Sequence, residues 1–312
     1  MNLLRDLRTA GKAALALALS DIESKMDADE TVALLDAAYG DPHGIVLGLT
    51  GPPGVGKSTL IDALSRKVRA RGKSLGILAV DPSSKRSRGA LLGDRTRLRI
   101  DPDDQGIFVR SMAARDRLGG VADITYPASV LMRALFDIVI VETVGVGQSE
   151  SAIADQTDLV ILCTQPGSGD SLQFMKAGIM ELPDLVVVTK ADLADLARRT
   201  KADLVGALSI SSSERDGPDV LTCSSSTGEG IDDVLGWIEA HEIGMGGSLN
   251  SRRAPQAQAW IEGYLTDRFG HEGLSRLRSA LPEWDGRSPF QYMSESLGRI
   301  RCKIIPDSER FF

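Results

Sequence analysis

Ile45-Val46-Leu47-Gly48-Leu49-Thr50-Gly51-Pro52-Pro53-Gly54-Val55-Gly56-Lys57-Ser58 is the stretch that decides the fold. Residues 45–50 form a short apolar run, which reads as a buried strand. Residues 51–58 match G-x-x-x-x-G-K-[ST] in full, and Ser58–Arg71 continues with helical character. A glycine-rich turn between strand and helix lets successive backbone N–H groups face inward around phosphate oxygens, where the helix N-terminus adds positive potential. Lys57 then reaches the β- and γ-phosphates and the Ser58 hydroxyl ligates Mg²⁺. The predicted phosphate-binding residues are Gly51, Gly54, Val55, Gly56, Lys57, Ser58 and Thr59, and the predicted ligand is a nucleoside triphosphate. A chance lysine in a glycine-rich turn would lack the flanking strand and helix.

Outward from this motif, residues 41–242 alternate short apolar runs with longer amphipathic stretches, the mark of βαβ units around a parallel sheet. Strands are predicted at Ile45–Thr50, Ser74–Val80, Ile107–Arg110, Asp137–Val141, Asp158–Cys163, Leu185–Thr189 and Val220–Thr222. Residues 1–40 read as two helices. Leu4, Leu7, Leu15, Leu19, Ile22 and Met26 share a face of the first, and the second spans Ala28 to Tyr39. That helical face is preferred to a cleaved signal peptide, because the apolar stretch after Arg5, Arg8 and Lys12 is short and Asp6 interrupts the basic region. Gly244 to Ser248 reads as a flexible joint, and Pro255 as the opening of a helix that buries Ala257, Trp260, Ile261, Tyr264 and Leu265. Leu274, Leu277 and Leu281 suggest one more helix, and no clear period follows Glu283. The expectation is an α/β P-loop NTPase with a mostly parallel central sheet: residues 1–40 as an N-terminal helical segment, 41–242 as the nucleotide domain, and 243–312 as a C-terminal helical extension.

Composition narrows the partners. In 312 residues, 36 Lys and Arg against 43 Asp and Glu give a net charge of −7, which disfavours nonspecific attraction to nucleic acid or anionic lipid. No apolar run approaches the roughly 20 residues that span a bilayer. The three cysteines, Cys163, Cys223 and Cys302, lie far apart, which points to a reducing, cytoplasmic setting rather than a disulfide framework. Three histidines cannot form a His-rich metal tract.

Ligands of open α/β sheets sit beyond the carboxyl ends of the strands. Asp81 follows the predicted strand ending at Val80, and Glu142 follows the one ending at Val141. Any one acid could solvate a loop, but their joint placement on the edge that carries the P-loop favours Mg²⁺ coordination, direct or through water. Asp94 is a further, weaker candidate. Thr189-Lys190-Ala191-Asp192 addresses the base: a carboxylate at Asp192 can accept from the ring N–H and exocyclic amino group of guanine, a pair that adenine lacks. The Lys190 stem can pack along the ring, and Ser224 and Ser225 form a second base-contacting loop. GTP is favoured over ATP.

At these residues the chain resembles the MeaB/ArgK-type P-loop GTPases. The resemblance rests on Gly51–Leu60, Val80-Asp81-Pro82-Ser83-Ser84, Leu92–Arg97, Val141–Glu150 and Pro166-Gly167-Ser168-Gly169-Asp170, and covers roughly residues 1–270. It implies that Asp81, Asp94 and Glu142 are magnesium-site acids and that the segment from Asp170 to Lys176 is a third switch loop through which a partner influences hydrolysis. It also implies a homodimer, with the C-terminal extension as a dimerisation arm, and a role as chaperone of an adenosylcobalamin-dependent acyl-CoA mutase. The chain departs from the family in having Thr189 where Asn is usual, which removes one side-chain contact to the base.

Hydrolysis needs positioning and charge neutralisation by Lys57 and Mg²⁺, with a group to orient water. Many GTPases place a Gln just after the glycine of the second switch. Here that position is Val146, with Gln148 displaced by two residues. Slow hydrolysis alone and faster hydrolysis with an ordering partner are expected, with Lys57, Glu142 and Gln148 as the catalytic set. The basic residues Lys85, Arg86, Arg88, Arg95, Arg97 and Arg99 read as a solvated face, or as a source of charge toward the γ-phosphate or an acidic partner. Two other readings compete: a nickel- or zinc-insertion GTPase, which usually carries a Cys-x-Cys-Cys motif or a histidine tract, and a kinase of a transport-system binding protein. Neither such metal motif nor a motif for a protein acceptor is present.

Overall fold

The structure, a computed structural model, describes residues 3–82, 101, 103–114, 124–143, 153–167, 182–211, 217–245 and 249–304. Within these, a seven-stranded sheet runs β1 Ile45–Thr50, β2 Leu75–Pro82, β3 Ile107–Ala114, β4 Ile138–Glu142, β5 Leu159–Thr164, β6 Leu185–Val188 and β7 Asp219–Thr222. Every strand pair is parallel, in the order β3-β2-β4-β1-β5-β6-β7. Strands β1, β4, β5 and β6 are buried along their whole length, as strands covered on both faces must be.

The period of two along β1 divides the core. Ile45, Leu47 and Leu49 join Leu60, Ile61, Leu64 and Val68 of α3 (Lys57–Ala70) and Val234, Leu235 and Ile238 of α6 (Ile231–Gly244) on one face. Val46 turns to the other face, where α1 (Leu3–Lys25), α2 (Asp29–Gly40) and α4 (Thr125–Arg133) pack. Ala257 of α7 (Leu249–Leu277) and Phe290 of α8 (Pro289–Ile304) belong to the same cluster. The N-terminal helices and the C-terminal extension therefore share one apolar core against the sheet. Helix α5 (Ala194–Ser211) covers β6 through Ala197, Leu204 and Leu208.

Several boundaries differ from the sequence reading. Strand β2 runs to Pro82, because its ladder with β3 continues through Asp81↔Ala113 and Pro82↔Ala114. Asp81 and Glu142 are thus strand residues rather than the first loop residues. Pro255 lies inside α7, which opens at Leu249. Leu274 and Leu277 belong to the same helix beyond Gly270, whose φ of 69° and ψ of 165° break the helical path. The predicted extra helix is that second leg. Helix α8 is the element the sequence reading lacked, and Phe290, Tyr292, Met293, Leu297 and Ile300 are its buried hydrophobic residues.

Candidate nucleotide-binding site

Strand β1 delivers Gly51 at the centre of the sheet edge. There the backbone takes a φ of 136°, and a Cβ would stand 2.2 Å from the carbonyl oxygen of Cys163. Only glycine lets the turn pass this close to β5. Gly54 and Gly56 also have positive φ, 79° and 101°, and Lys57 begins α3. Val55 is buried within the loop and Thr59 is exposed in the first turn of α3. The Lys57 ammonium donates to the carbonyls of Gly51 at 2.6 Å and Pro52 at 3.1 Å, so its charge is held within the loop.

Ser58 donates its hydroxyl to Oε1 of Glu142 at 3.0 Å. Glu142 ends β4, registered beside Leu49 of β1 and Ala79 of β2, and is buried. Next to it the Thr143 amide donates to the Leu49 carbonyl at 3.1 Å, closing the gap between the strands. A hydroxyl and a carboxylate brought together at a helix N-terminus are hard oxygen donors of the kind Mg²⁺ takes. The backbone register sets Asp81 at the same end of the sheet, two residues beyond Ala79, the partner of Glu142.

A second group of contacts forms beyond β6. The Thr189 hydroxyl donates within 2.6 Å of the Val55 carbonyl and 2.9 Å of the Thr164 carbonyl, and is buried. Lys190 takes a φ of 53°, the one non-glycine residue with positive φ among those described. Its ammonium donates to the Gly54 carbonyl at 3.0 Å and to Oε1 of Gln165 at 2.5 Å. Ser224 donates to Oδ1 of Asp192 at 2.7 Å, and Ser226 does so at 3.3 Å. The Ser224 hydroxyl, aided by the backbone N–H of Asp192, by Ser226 and by Lys190, holds this carboxyl below the usual carboxylate range. Asp192 itself is exposed, and Ser225 lies half-buried between the two serines that reach it. Beneath the loops Cys163 and Cys223 are free and buried, and burial pushes both thiols up, Cys223 to about 12.

The structure thus brings Lys57, Ser58, Glu142, Lys190, Asp192 and Ser224 onto one rim. Asp94, Gln148, Asp170 and Lys176 lie outside the described residues, as do Val146 and the basic cluster of residues 85–99. Sequence reasoning passed over Gln165, Ser226 and the anchoring role of Thr189. Gln165 directly follows β5, so the strand-end signal that selected Glu142 also marks it.

Comparison with known proteins agrees with this geometry. The family model described as methylmalonyl Co-A mutase-associated GTPase MeaB matches residues 14–275. The methylmalonic aciduria type A homolog of Mus musculus, a mitochondrial protein, is 42% identical over 230 residues, which is 71% of this chain and 55% of the mouse protein. A protein of Caulobacter vibrioides named as a GTPase is 41% identical over 271 residues, covering 83% of this chain and 82% of that one. The crystal structure of an LAO/AO transport system kinase superposes with a TM-score of 0.66 at 29% identity, covering 95% of this chain and 96% of its own. P-loop, sheet order and these matches converge: the chain belongs to the methylmalonyl Co-A mutase-associated (MeaB) family and is a P-loop GTPase.

Proposed function

We propose that this GTPase serves an adenosylcobalamin-dependent acyl-CoA mutase as a chaperone, gating the loading or protection of its cofactor. Support for the mutase comes from the family description matched over residues 14–275 and from the name of the mouse relative. Support for the nucleotide chemistry comes from one observation above the others. The Ser58–Glu142 pair and the Ser224–Asp192 pair lie on the same rim, joined by the Thr189 hydroxyl on the Val55 carbonyl.

In this reading Gly51, Gly54, Val55, Gly56, Lys57, Ser58 and Thr59 bind the phosphates. Lys57 leaves its two loop carbonyls to neutralise the β- and γ-phosphates. Ser58 and Glu142, with Asp81 and Asp94, hold Mg²⁺, which supplies charge neutralisation at the phosphate oxygens when bound. Asp192 accepts from the guanine edge with Ser224 and Ser225 beside it, and Lys190 lines the ring. Gln148 orients water, and Asp170 to Lys176 carry the mutase's influence to the site. The chain acts as a homodimer in a cytoplasmic setting; its buried, unpaired thiols accord with a reducing compartment.

Single-turnover GTP hydrolysis with and without a purified adenosylcobalamin-dependent mutase tests the proposal. Acceleration by the mutase is the expected result. Equal rates in its presence and absence would contradict it.

A further inference from the structure

The first turns of α7 grip one particular turn of the nucleotide domain. Residues Ile153 to Asp158 connect the segment that follows Thr143 to the start of β5. This turn sits flush on β1: a Cβ at Gly48 would stand 2.7 Å from both Cγ1 of Ile153 and Oγ1 of Thr157. Asp158 is fixed to the same strand, donating its amide to the Val46 carbonyl at 2.8 Å and accepting from the Val46 amide with its carboxylate, also at 2.8 Å. The turn thus bears on the strand that leads, three residues after Gly48, into the P-loop.

From the other side come three polar side chains of α7. Arg253 engages both carboxylate oxygens of Asp158 at 2.7 Å, and reaches the Gly44 carbonyl at 3.1 Å. Arg252 donates to the Asp158 carbonyl at 2.8 Å and to Asp184 at 2.9 Å. Gln256, itself buried, spends its amide N–H groups on the carbonyls of Thr157 at 2.7 Å and Ala154 at 3.3 Å. One helical turn further Trp260 stacks on Tyr126 at 5.5 Å, and a turn beyond that Tyr264 donates its hydroxyl to Asp27 at 2.7 Å. Helix α7 therefore runs as one strut from the turn beneath β1 to the N-terminal helices.

A ligand moves an element only when its contacts differ between two states of that element. The turn has contacts on both sides: β1, which carries the P-loop, and α7, which opens the C-terminal extension. We propose that Gln256, with the buried Arg253–Asp158 pair beside it, couples the nucleotide state of the P-loop domain to the C-terminal helical extension. Gln256 is a positioning residue here, acting on the turn and not on the nucleotide. The proposal rests on the GTPase reading and adds to it a route by which the bound nucleotide is reported to the extension.

Hydrogen exchange of the full chain tests it, comparing GDP with a non-hydrolysable GTP analogue over residues 249–265. The wild type is expected to show a nucleotide-dependent difference there. Gln256→Ala is expected to bind both nucleotides as the wild type does and to lose that difference. Arg252→Ala, at a more exposed position, serves as a second variant and should reduce the difference. A wild type that binds both nucleotides with identical exchange in α7 would overturn the coupling alone, as would a full difference retained in both variants. Absence of saturable nucleotide binding by the wild type would overturn the GTPase reading and the coupling together.

Discussion

The hydroxyl of Thr189 lies 2.6 Å from the carbonyl oxygen of Val55, so the loop beyond β6 is fastened to the phosphate loop by one buried side chain. The same hydroxyl approaches the Thr164 carbonyl at 2.9 Å, and all three segments leave neighbouring strands at one sheet edge. On the proposed assignment, this hydrogen bond makes Thr189 the residue that aligns the base and phosphate subsites.

Thr189→Val keeps the volume and removes the hydroxyl. A buried carbonyl left unpaired costs more than the net worth of the bond. GTP affinity should fall about tenfold, equivalent to ~1.4 kcal/mol, while Thr189→Ser stays close to the wild type. Titration with a fluorescent guanine nucleotide measures both, and equal affinity in the Val variant would remove Thr189 from the site's architecture.

The Ser224 hydrogen bond is the largest contribution holding the Asp192 carboxyl low. A depressed carboxylate stays ionised below its ordinary range and loses its charge only as pH falls through the depressed value. Base recognition in the wild type should persist into acid for that reason. In Ser224→Ala the acid limb of nucleotide affinity should move up in pH toward the ordinary carboxylate value, with the acid-side gap closing at neutral pH. A pH series of nucleotide dissociation constants reads this directly.

Asp158 and Arg253 form an ion pair with side chains only 1% and 7% exposed. Taking away one partner strands the other charge in the interior, at a cost of about 3–5 kcal/mol. Asp158→Asn should lower unfolding stability by that order, far more than Asp195→Asn, whose partner Arg198 sits with it on the surface. Urea denaturation of the two variants distinguishes a buried pin from a surface pair.

How far the fold was legible depends on where the signal lay. The strand–loop–helix around Gly51–Ser58 was readable because each residue type there answers to local backbone geometry. Strand ends moved because pairing sets them: β2 reaches Pro82 only by virtue of β3 alongside it. Pro255 misled because proline suits a first turn, yet α7 begins earlier, where Arg252 and Arg253 anchor to Asp158. In α8 the helical spacing of Phe290, Met293, Leu297 and Ile300 was present, but Ser288 and Ser296 are buried with them and blur the apolar face. Within the site, the strand-end rule selected Glu142 and the Thr189–Asp192 tetrapeptide selected Asp192. Neither signal could show that Thr189 meets Val55, since that contact spans 134 residues and is created by the sheet order.

Nucleotide competition on the purified chain bears most directly on the central claim, that this rim encloses a guanine nucleotide read by Asp192. The wild type should bind GTP at least about a hundredfold more tightly than ATP, since adenine leaves the carboxylate without its paired donors. Asp192→Asn should shift preference toward xanthosine triphosphate, whose ring carbonyl can accept from the new amide. Equal affinity for ATP and GTP in the wild type, or an Asp192→Asn variant with unchanged base preference, would contradict the account.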